Sequence, residues 1–246
     1  MSLYTGWNLF KNHWQATVGS SRLGLLWKIL PSLFWCVIFL FIRRGGDAES
    51  AAIGLAIGMV IYQTITDSFR SGSAFYQRNL SLFLQNPQII NAIIIQVTIN
   101  SFVNCLFKIP IIYGLLIFFT DIPFNIYWLF LIPAVPLMVL LSLAIGFIFS
   151  FTSYLNRDVA QISYLIPLLI LVFTPIIFVP QHGFVSIIQE VNPFSHWLYL
   201  FKGLLMHSAI PIKGTLLLIL GSLSFYILSW KFICYTMPYV AEESRS

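Results

Sequence analysis

The sequence predicts an all-α integral membrane protein with six transmembrane helices, an amino-terminal interfacial amphipathic helix and short re-entrant helices before the last span. Two observations predict this class. Of the 246 residues, 59% are hydrophobic and only 9% are charged, whereas an ordinary soluble domain carries about 25% charged residues. A spanning helix needs about 20 mainly apolar residues, and stretches of this kind lie near 25–42, 51–69, 98–119, 126–151, 162–179 and 214–235.

The first 20 residues form a segment of their own. One helical face of this segment carries Leu3, Trp7, Phe10, Trp14 and Val18, which recur at steps of three and four residues. Lys11 falls on the other, polar side. Indole rings opposite a basic face are typical of a helix that lies in the membrane interface. Such a helix is either a simple anchor or a lever that touches a cytoplasmic partner, and the sequence favours both interpretations equally.

The distribution of lysine and arginine between the loops predicts the orientation, because cytoplasmic loops are enriched in both residues. With six spans, both termini lie on the same side. That side carries Lys11, Arg22, Lys28, Arg70, Arg78, Arg157, Lys231 and Arg245. The opposite side carries Arg43, Arg44, Lys202 and Lys213. Both termini are therefore predicted to be cytoplasmic, and the net charge of +5 suits that membrane surface without a nucleic-acid partner.

Two segments differ from plain spans. Residues 70–88 are short, mixed in polarity and cytoplasmic in this topology, which favours a helix presented to a partner. Residues 182–210 are too polar to cross a membrane and too apolar for a free loop. We expect a pair of short helices that dip into the outer leaflet, because irregular backbone at membrane depth must pack against protein or line a cavity.

Residues that could perform chemistry are scattered. The chain has no G-x-x-x-x-G-K-[ST] phosphate loop, H-E-x-x-H motif or G-x-S-x-G motif, and no cofactor is expected to bind it. Its cysteines lie in apolar segments and are predicted to be core residues. Asp67 and Lys108 fall in or near spans, where a charged side chain needs a partner. Gly54 and Gly58 form a G-x-x-x-G pair that favours close packing of helices.

An ordered set of short motifs resembles the membrane subunit of ABC-2 type exporters, in particular the permeases that export capsule and O-antigen polysaccharides. The four segments that carry this resemblance are Arg22-Leu23-Gly24-Leu25-Leu26-Trp27-x-x-Leu30-Pro31, Phe75–Pro87, Asn156-Arg157-Asp158-Val159-Ala160-Gln161, and Pro175-x-x-Phe178-x-Pro180 followed by Asn192-Pro193. Together they extend over the whole chain. The third segment departs from the family pattern, because no aromatic residue comes directly before Arg157.

The resemblance implies a single ABC-2 transmembrane domain over residues 1–246. It implies a homodimer in the bacterial inner membrane that carries two separate ATP-binding subunits, which bind the ATP and Mg²⁺. Residues 1–20 would be the gate helix, with Trp7, Lys11 and Trp14 holding it in the interface. Residues 70–88 would be the coupling segment and 182–210 the outer re-entrant helices. Contacts to the ATP-binding subunit would come from Arg22, Arg70, Phe75, Arg78, Arg157 and Asp158. Membrane lipid and periplasmic export components would be further partners.

The aromatic content of 17% suits a sugar polymer, because sugar rings stack on aromatic side chains through their apolar faces. We expect a lipid-linked polysaccharide as the substrate and Trp35, Tyr62, Tyr164 and Phe173 along its path. Three alternatives remain open. The first is a related exporter of a teichoic-acid-type polymer, a lipid or a drug. The second is a membrane-embedded enzyme acting on lipid-linked sugars, and the third is a membrane scaffold.

Overall fold

A computed structural model describes residues 2–19, 24, 26–42, 48–119, 126–176, 183–206 and 212–244. Within these ranges the regular structure is helical, with no strand. The α-helices are α1 Ser2–Val18, α2 Leu26–Ile42, α3 Ala48–Ser73, α4 Phe75–Gln85, α5 Ile90–Leu106, α6 Ile109–Phe119, α7 Leu131–Leu155, α8 Arg157–Ile162, α9 Ile166–Phe173, α10 Phe184–Val191, α11 Pro193–Met206 and α12 Ile212–Glu243. Short 3-10 helices at Pro87–Ile89 and Ile126–Phe130 precede α5 and α7.

Three helical segments of the described chain are long and apolar enough to cross a membrane: Pro87–Gly114, Ile126–Leu155 and Lys213–Glu243. The prediction of a helical protein suited to membrane insertion is therefore confirmed. The first and second predicted spans coincide with α2 and α3, and the fifth, 162–179, contains α9; its residues 177–179 lie outside the described residues. A count of six spans stays a prediction.

The third predicted span, residues 98–119, has different bounds in the structure. Helix α5 already begins at Ile90, and a turn at 107–108 separates it from α6. Pro110 explains the break, because it has no backbone N–H and its ring clashes with the carbonyl group four residues earlier in a continuous helix. The polar residues near the start of this region, Asn91, Gln96 and Asn100, predict that it begins at the membrane interface. In the structure Asn91 accepts a 2.9 Å hydrogen bond from the indole N–H of Trp230 on α12. The side-chain amide of Asn91 therefore takes part in the contact between α5 and α12.

Helices α3 and α7 form the centre of the packed bundle. Their backbones come into close contact at Gly72 and Gly146, where a β-carbon at residue 146 would lie 2.5 Å from the carbonyl oxygen of Phe69. Of the predicted pair Gly54 and Gly58, only Gly58 lies in a close contact: a β-carbon there would be 3.0 Å from the Ile176 side chain, whereas one at Gly54 would meet no atom within 4 Å. Backbones can touch at the Gly72–Gly146 crossing because neither residue has a side chain.

Two short helices, α10 and α11, occupy residues 184–206, as the polarity pattern predicts; their depth in the membrane stays a prediction. Asn192 ties them to the end of α9. Its side-chain amide donates to the carbonyl oxygen of Phe173 at 2.8 Å, and its side-chain oxygen accepts from the backbone N–H of Phe194 at 3.0 Å. Asn192 thus links the end of α9 to the start of α11. For α11 it is the N-cap residue, a position at which asparagine is strongly preferred.

Candidate functional site

A cavity of about 720 Å³ lies beside α1, between α2, α3 and α5. This size is in the range of about 300–1,000 Å³ that is usual for ligand sites. We refer to it as the α1 cavity. Its walls are formed by His13, Thr17, Trp27, Lys28, Pro31, Trp35, Met59, Tyr62, Gln63, Thr66, Asp67, Arg70, Ser71, Arg78, Asn100, Asn104, Lys108 and Leu171.

The α1 cavity is elongated and differs in character between its two ends. Along α3 it extends from Met59 to Ser71, which corresponds to about 18 Å at a rise of 1.5 Å per residue. Aromatic and apolar side chains, Trp35 and Tyr62 among them, line the Met59 end. Cationic side chains line the end near Ser71. The walls are therefore amphipathic along the length of the cavity.

The basic end has more positive than negative charge. It carries Lys28, Arg70, Arg78 and Lys108 but a single carboxylate, that of Asp67. Lys108 donates to Asp67 across 2.6 Å. The side chain of Lys108 is 4% exposed and that of Asp67 is 53% exposed. The ion pair therefore gives the buried ammonium a counter-ion, and the carboxylate of Asp67 still faces the cavity. Among the described residues, the other three cations have no carboxylate partner.

A small void of about 10 Å³ lies next to this ion pair and is lined by Thr64, Ser68 and Ser101, among others. The hydroxyl group of Ser101 is buried and makes no hydrogen bond to the described protein. A void of this size with polar walls has room for one water molecule. Such a water would satisfy Ser101 and extend the polar surroundings of the Lys108 ammonium.

Lys28 connects the cavity to α1. Its ammonium lies 4.1 Å from the centroid of the Trp14 ring and donates a 2.7 Å hydrogen bond to the side-chain oxygen of Asn104 on α5. A cation over an indole face is attracted by the electron density of the ring. The first turn of α2, the helix α1 and the last turn of α5 therefore meet at one side chain.

Helix α1 packs along α5 through small and aromatic residues. A β-carbon at Gly6 would lie 2.8 Å from the Ile95 side chain, so the helices approach closely there. Farther along, Phe10 is buried and Trp14 stacks on Phe107 with ring centroids 5.8 Å apart. The aromatic face predicted from the sequence is thus used in part for packing within the chain, while Trp7 at the start of α1 is 52% exposed.

His13 lies on the α1 wall of the cavity. Partial burial lowers its pKa from the usual 6.5, and the positive charges of Lys28 and Arg78 lower that pKa further. Protonation of His13 would add another cation to a region that already has an excess of them. The imidazole is therefore neutral at pH 7.

Four of the residues predicted from the sequence meet in this cavity. They are Trp35 and Tyr62, predicted for the substrate path, and Arg70 and Arg78, predicted for contact with the ATP-binding subunit. The other two predicted path residues, Tyr164 and Phe173, do not line it. Tyr164 is 78% exposed, so its ring is available to lipid or to another chain.

The remaining predicted contacts with an ATP-binding subunit have different surroundings. Phe75 is completely buried and packs edge-on against Phe147, with ring centroids 5.3 Å apart. It therefore anchors α4 on α7 and offers no surface to a partner in this arrangement.

Asp158 is exposed in the first turn of α8, and its backbone N–H donates to the side-chain oxygen of Asn156. Arg157 begins α8, and Arg22 lies outside the described residues.

Sequence reasoning missed His13, Lys28 and Asn104 as site residues. Only Lys28 gave a signal, because a lysine directly before an apolar run is costly unless its ammonium has a polar or aromatic contact. No periodic pattern in the sequence shows that these three side chains converge.

The fold and the cavity define a class: a helical protein with segments able to span a membrane and an amphipathic cavity between its helices. Within the described residues, no group of three histidine, cysteine, aspartate or glutamate side chains could hold a metal ion. Comparison of the chain with protein-family models and with curated protein sequences gives no match.

Proposed function

We propose that this chain is the permease subunit of an ATP-driven ABC exporter that moves a lipid-linked polysaccharide across the bacterial inner membrane. In this proposal two copies form the channel, two ATP-binding subunits dock on the cytoplasmic side, and both termini lie in the cytoplasm. The observation that carries the proposal is the α1 cavity, which joins a cationic end near Arg70 and Arg78 to an aromatic end near Trp35 and Tyr62.

The two ends suit the two parts of such a substrate. Cationic side chains attract an anionic group, and aromatic rings stack on the apolar faces of sugars. A substrate that has both parts can engage both ends at once. The volume of about 720 Å³ holds the linkage region of a lipid-linked glycan and only a short piece of the polymer, as expected for a loading site at the start of a conduit.

Energy for export must come from a partner under this proposal, because the sequence has no phosphate-binding loop of the G-x-x-x-x-G-K-[ST] type. Asp158 supports the docking of such a partner. It is exposed in the first turn of α8, directly after the long helix α7, and a rigid helix could transmit movement from that position. Arg70 and Arg78, also exposed, would lie between that partner and the α1 cavity.

An export assay tests the substrate path. In cells that carry the gene and its neighbours, we expect a Trp35→Ala,Tyr62→Ala double variant to accumulate finished polymer in the cytoplasm, because both rings line the cavity. Removal of one stacking partner costs about 0.5–1.5 kcal/mol, so the double variant should slow export more than either single variant. The measurement is the ratio of surface to intracellular polysaccharide at matched membrane expression.

Two further double variants make this experiment specific. Tyr199→Ala,Tyr235→Ala removes two exposed rings that do not line the cavity, and should leave export unchanged. Tyr164→Ala,Phe173→Ala tests the predicted path residues outside the cavity. Full surface display with the Trp35 and Tyr62 variant would contradict the proposed path. Complete loss of polymer, inside and outside, would favour a membrane enzyme over an exporter.

Co-purification tests the partner. We expect a mild-detergent preparation of the tagged chain to contain an ABC-type ATP-binding subunit and Asp158→Lys to deplete it, because the substitution reverses an exposed charge at the proposed docking surface. Glu190→Lys is the matched control, since Glu190 is also exposed and lies on α10, on the proposed outer side. Equal amounts of the subunit with both variants would argue against docking at Asp158.

A further inference from the structure

We infer that the basic end of the α1 cavity binds a phosphate group and that this binding draws Lys28 away from Trp14, which frees α1 from α5. The inference deepens the proposed function, because it names the chemistry of the group that the cavity would accept and a conformational consequence of loading. It rests on the proposed function only for the natural source of the phosphate.

The charge at this end is the first argument. Lys28, Arg70 and Arg78 line one cavity and have no carboxylate partner among the described residues. Walls of low dielectric constant concentrate the field of such a cluster and raise the local concentration of anions. A group with two negative charges satisfies several cations at once, and the fork of an arginine matches the geometry of phosphate oxygens.

The contacts of Lys28 are the second argument. In the structure its ammonium is held by the face of Trp14 and by the neutral side chain of Asn104. A charge-assisted hydrogen bond to a phosphate oxygen is about twice as strong as a bond to a neutral acceptor. A phosphate in the cavity therefore competes for Lys28 with both present contacts, and an ammonium that moves toward the phosphate gives up its position over the Trp14 ring.

The position of Trp14 gives the consequence. Its ring contacts both the Lys28 ammonium and the ring of Phe107, the residue that follows α5, and it is the last aromatic anchor of α1 before the helix ends at Val18. Loss of the Lys28 contact leaves the stack on Phe107 as the main aromatic hold on this half of α1. The carboxyl-terminal half of α1 then separates from α5 more often.

Limited trypsin digestion of the purified protein in neutral nanodiscs measures this separation. Lys11 is exposed on α1, and cleavage after it needs the helix to leave its packed position. The fragment that begins at Asn12 is quantified by mass spectrometry. Inorganic phosphate should speed its appearance about two- to fivefold over chloride at equal ionic strength, the factor expected for loss of one cation–π contact. Nanodiscs that contain phosphatidic acid instead of free phosphate show whether a lipid headgroup has the same effect.

Variants separate the inferred role of Lys28 from a general effect of charge. Lys28→Gln should be cut quickly without phosphate and show no further response. Lys231→Gln removes an exposed lysine of α12 that does not line the cavity, and should respond as the parent does. If Lys28→Gln does not fold, Arg78→Gln should shift the response to higher phosphate concentrations.

Two results would overturn the inference. One is an unchanged cleavage rate with both inorganic phosphate and phosphatidic acid in the parent protein. The other is a full phosphate response in folded Lys28→Gln. Neither result bears on export itself, which the polysaccharide assay measures in cells, so a failure here is distinguishable from a failure of the proposed function.

Discussion

The ammonium of Lys28 lies 4.1 Å from the centroid of the Trp14 ring. Through this contact the start of α2 holds the end of α1, and the hydrogen bond from Lys28 to Asn104 extends the connection to α5. Because Lys28 also lines the α1 cavity, a ligand bound at the basic end would lie beside the side chain that contacts α1. This arrangement gives the predictions on α1 a common physical basis.

Trp14 should contribute more to the docking of α1 than Trp7 does. Trp14→Ala removes a stack on Phe107 and a cation–π contact, together about 1–2 kcal/mol, whereas Trp7 contacts Phe10 on its own helix and is half exposed. We expect tryptic cleavage after Lys11 to be faster in Trp14→Ala than in Trp7→Ala. Equal rates in the two variants would mean that the Trp14 contacts do not hold α1.

The docking of α1 should weaken as the pH falls. Burial and the charges of Lys28 and Arg78 lower the pKa of His13, so the detached helix, with a pKa near 6.5, binds protons more readily than the docked one. Docking is therefore at full strength above about pH 6.5 and declines below it. The measurement is the protease sensitivity of Lys11 at pH 5.5 and 7.5 with an acid-tolerant protease of matched specificity. His13→Asn should abolish the pH difference, and an undiminished difference in that variant would assign it to another group.

The ion pair between Lys108 and Asp67 should respond unequally to its two single substitutions. Asp67→Asn leaves a buried ammonium without its counter-ion and should cost about 1–3 kcal/mol. Lys108→Met leaves a carboxylate that is 53% exposed and remains solvated, so it should cost less. Thermal unfolding in detergent measures both. The double variant Asp67→Asn,Lys108→Met should be more stable than Asp67→Asn alone, and an additive loss would contradict this assignment.

The crossing of α3 and α7 should tolerate no added side chain. A β-carbon at residue 146 would lie 2.5 Å from a backbone carbonyl oxygen, so Gly146→Ala must push the two helices apart, at about 1–3 kcal/mol. Gly221→Ala is the matched control on α12, because a β-carbon there meets nothing within 4 Å and alanine favours a helix by up to about 1 kcal/mol. Similar melting temperatures for the two variants would show that the crossing can relax.

Local patterns in the sequence predicted the helical elements well. The step of three and four residues placed Trp7, Phe10 and Trp14 on one face of α1, and the mixed polarity of residues 182–210 predicted a pair of short helices there. The bounds of α5 were harder to predict. A polar residue such as Asn91 predicts contact with water or the membrane interface when only local periodicity is considered. In the structure its side-chain oxygen accepts a hydrogen bond from Trp230, which is remote in the sequence.

Composition and periodicity by themselves determined that this chain is helical and suited to a membrane, because 59% hydrophobic and 9% charged residues cannot cover a water-facing surface. Only the tertiary structure decided where its charges and rings meet. Lys28 and Asn104 are 76 residues apart, and Lys108 and Asp67 are 41 apart. Such pairs form because the crossing of α3 and α7 and the packing of α1 on α5 bring distant turns of helix together, and no local pattern in the chain encodes which turns face each other.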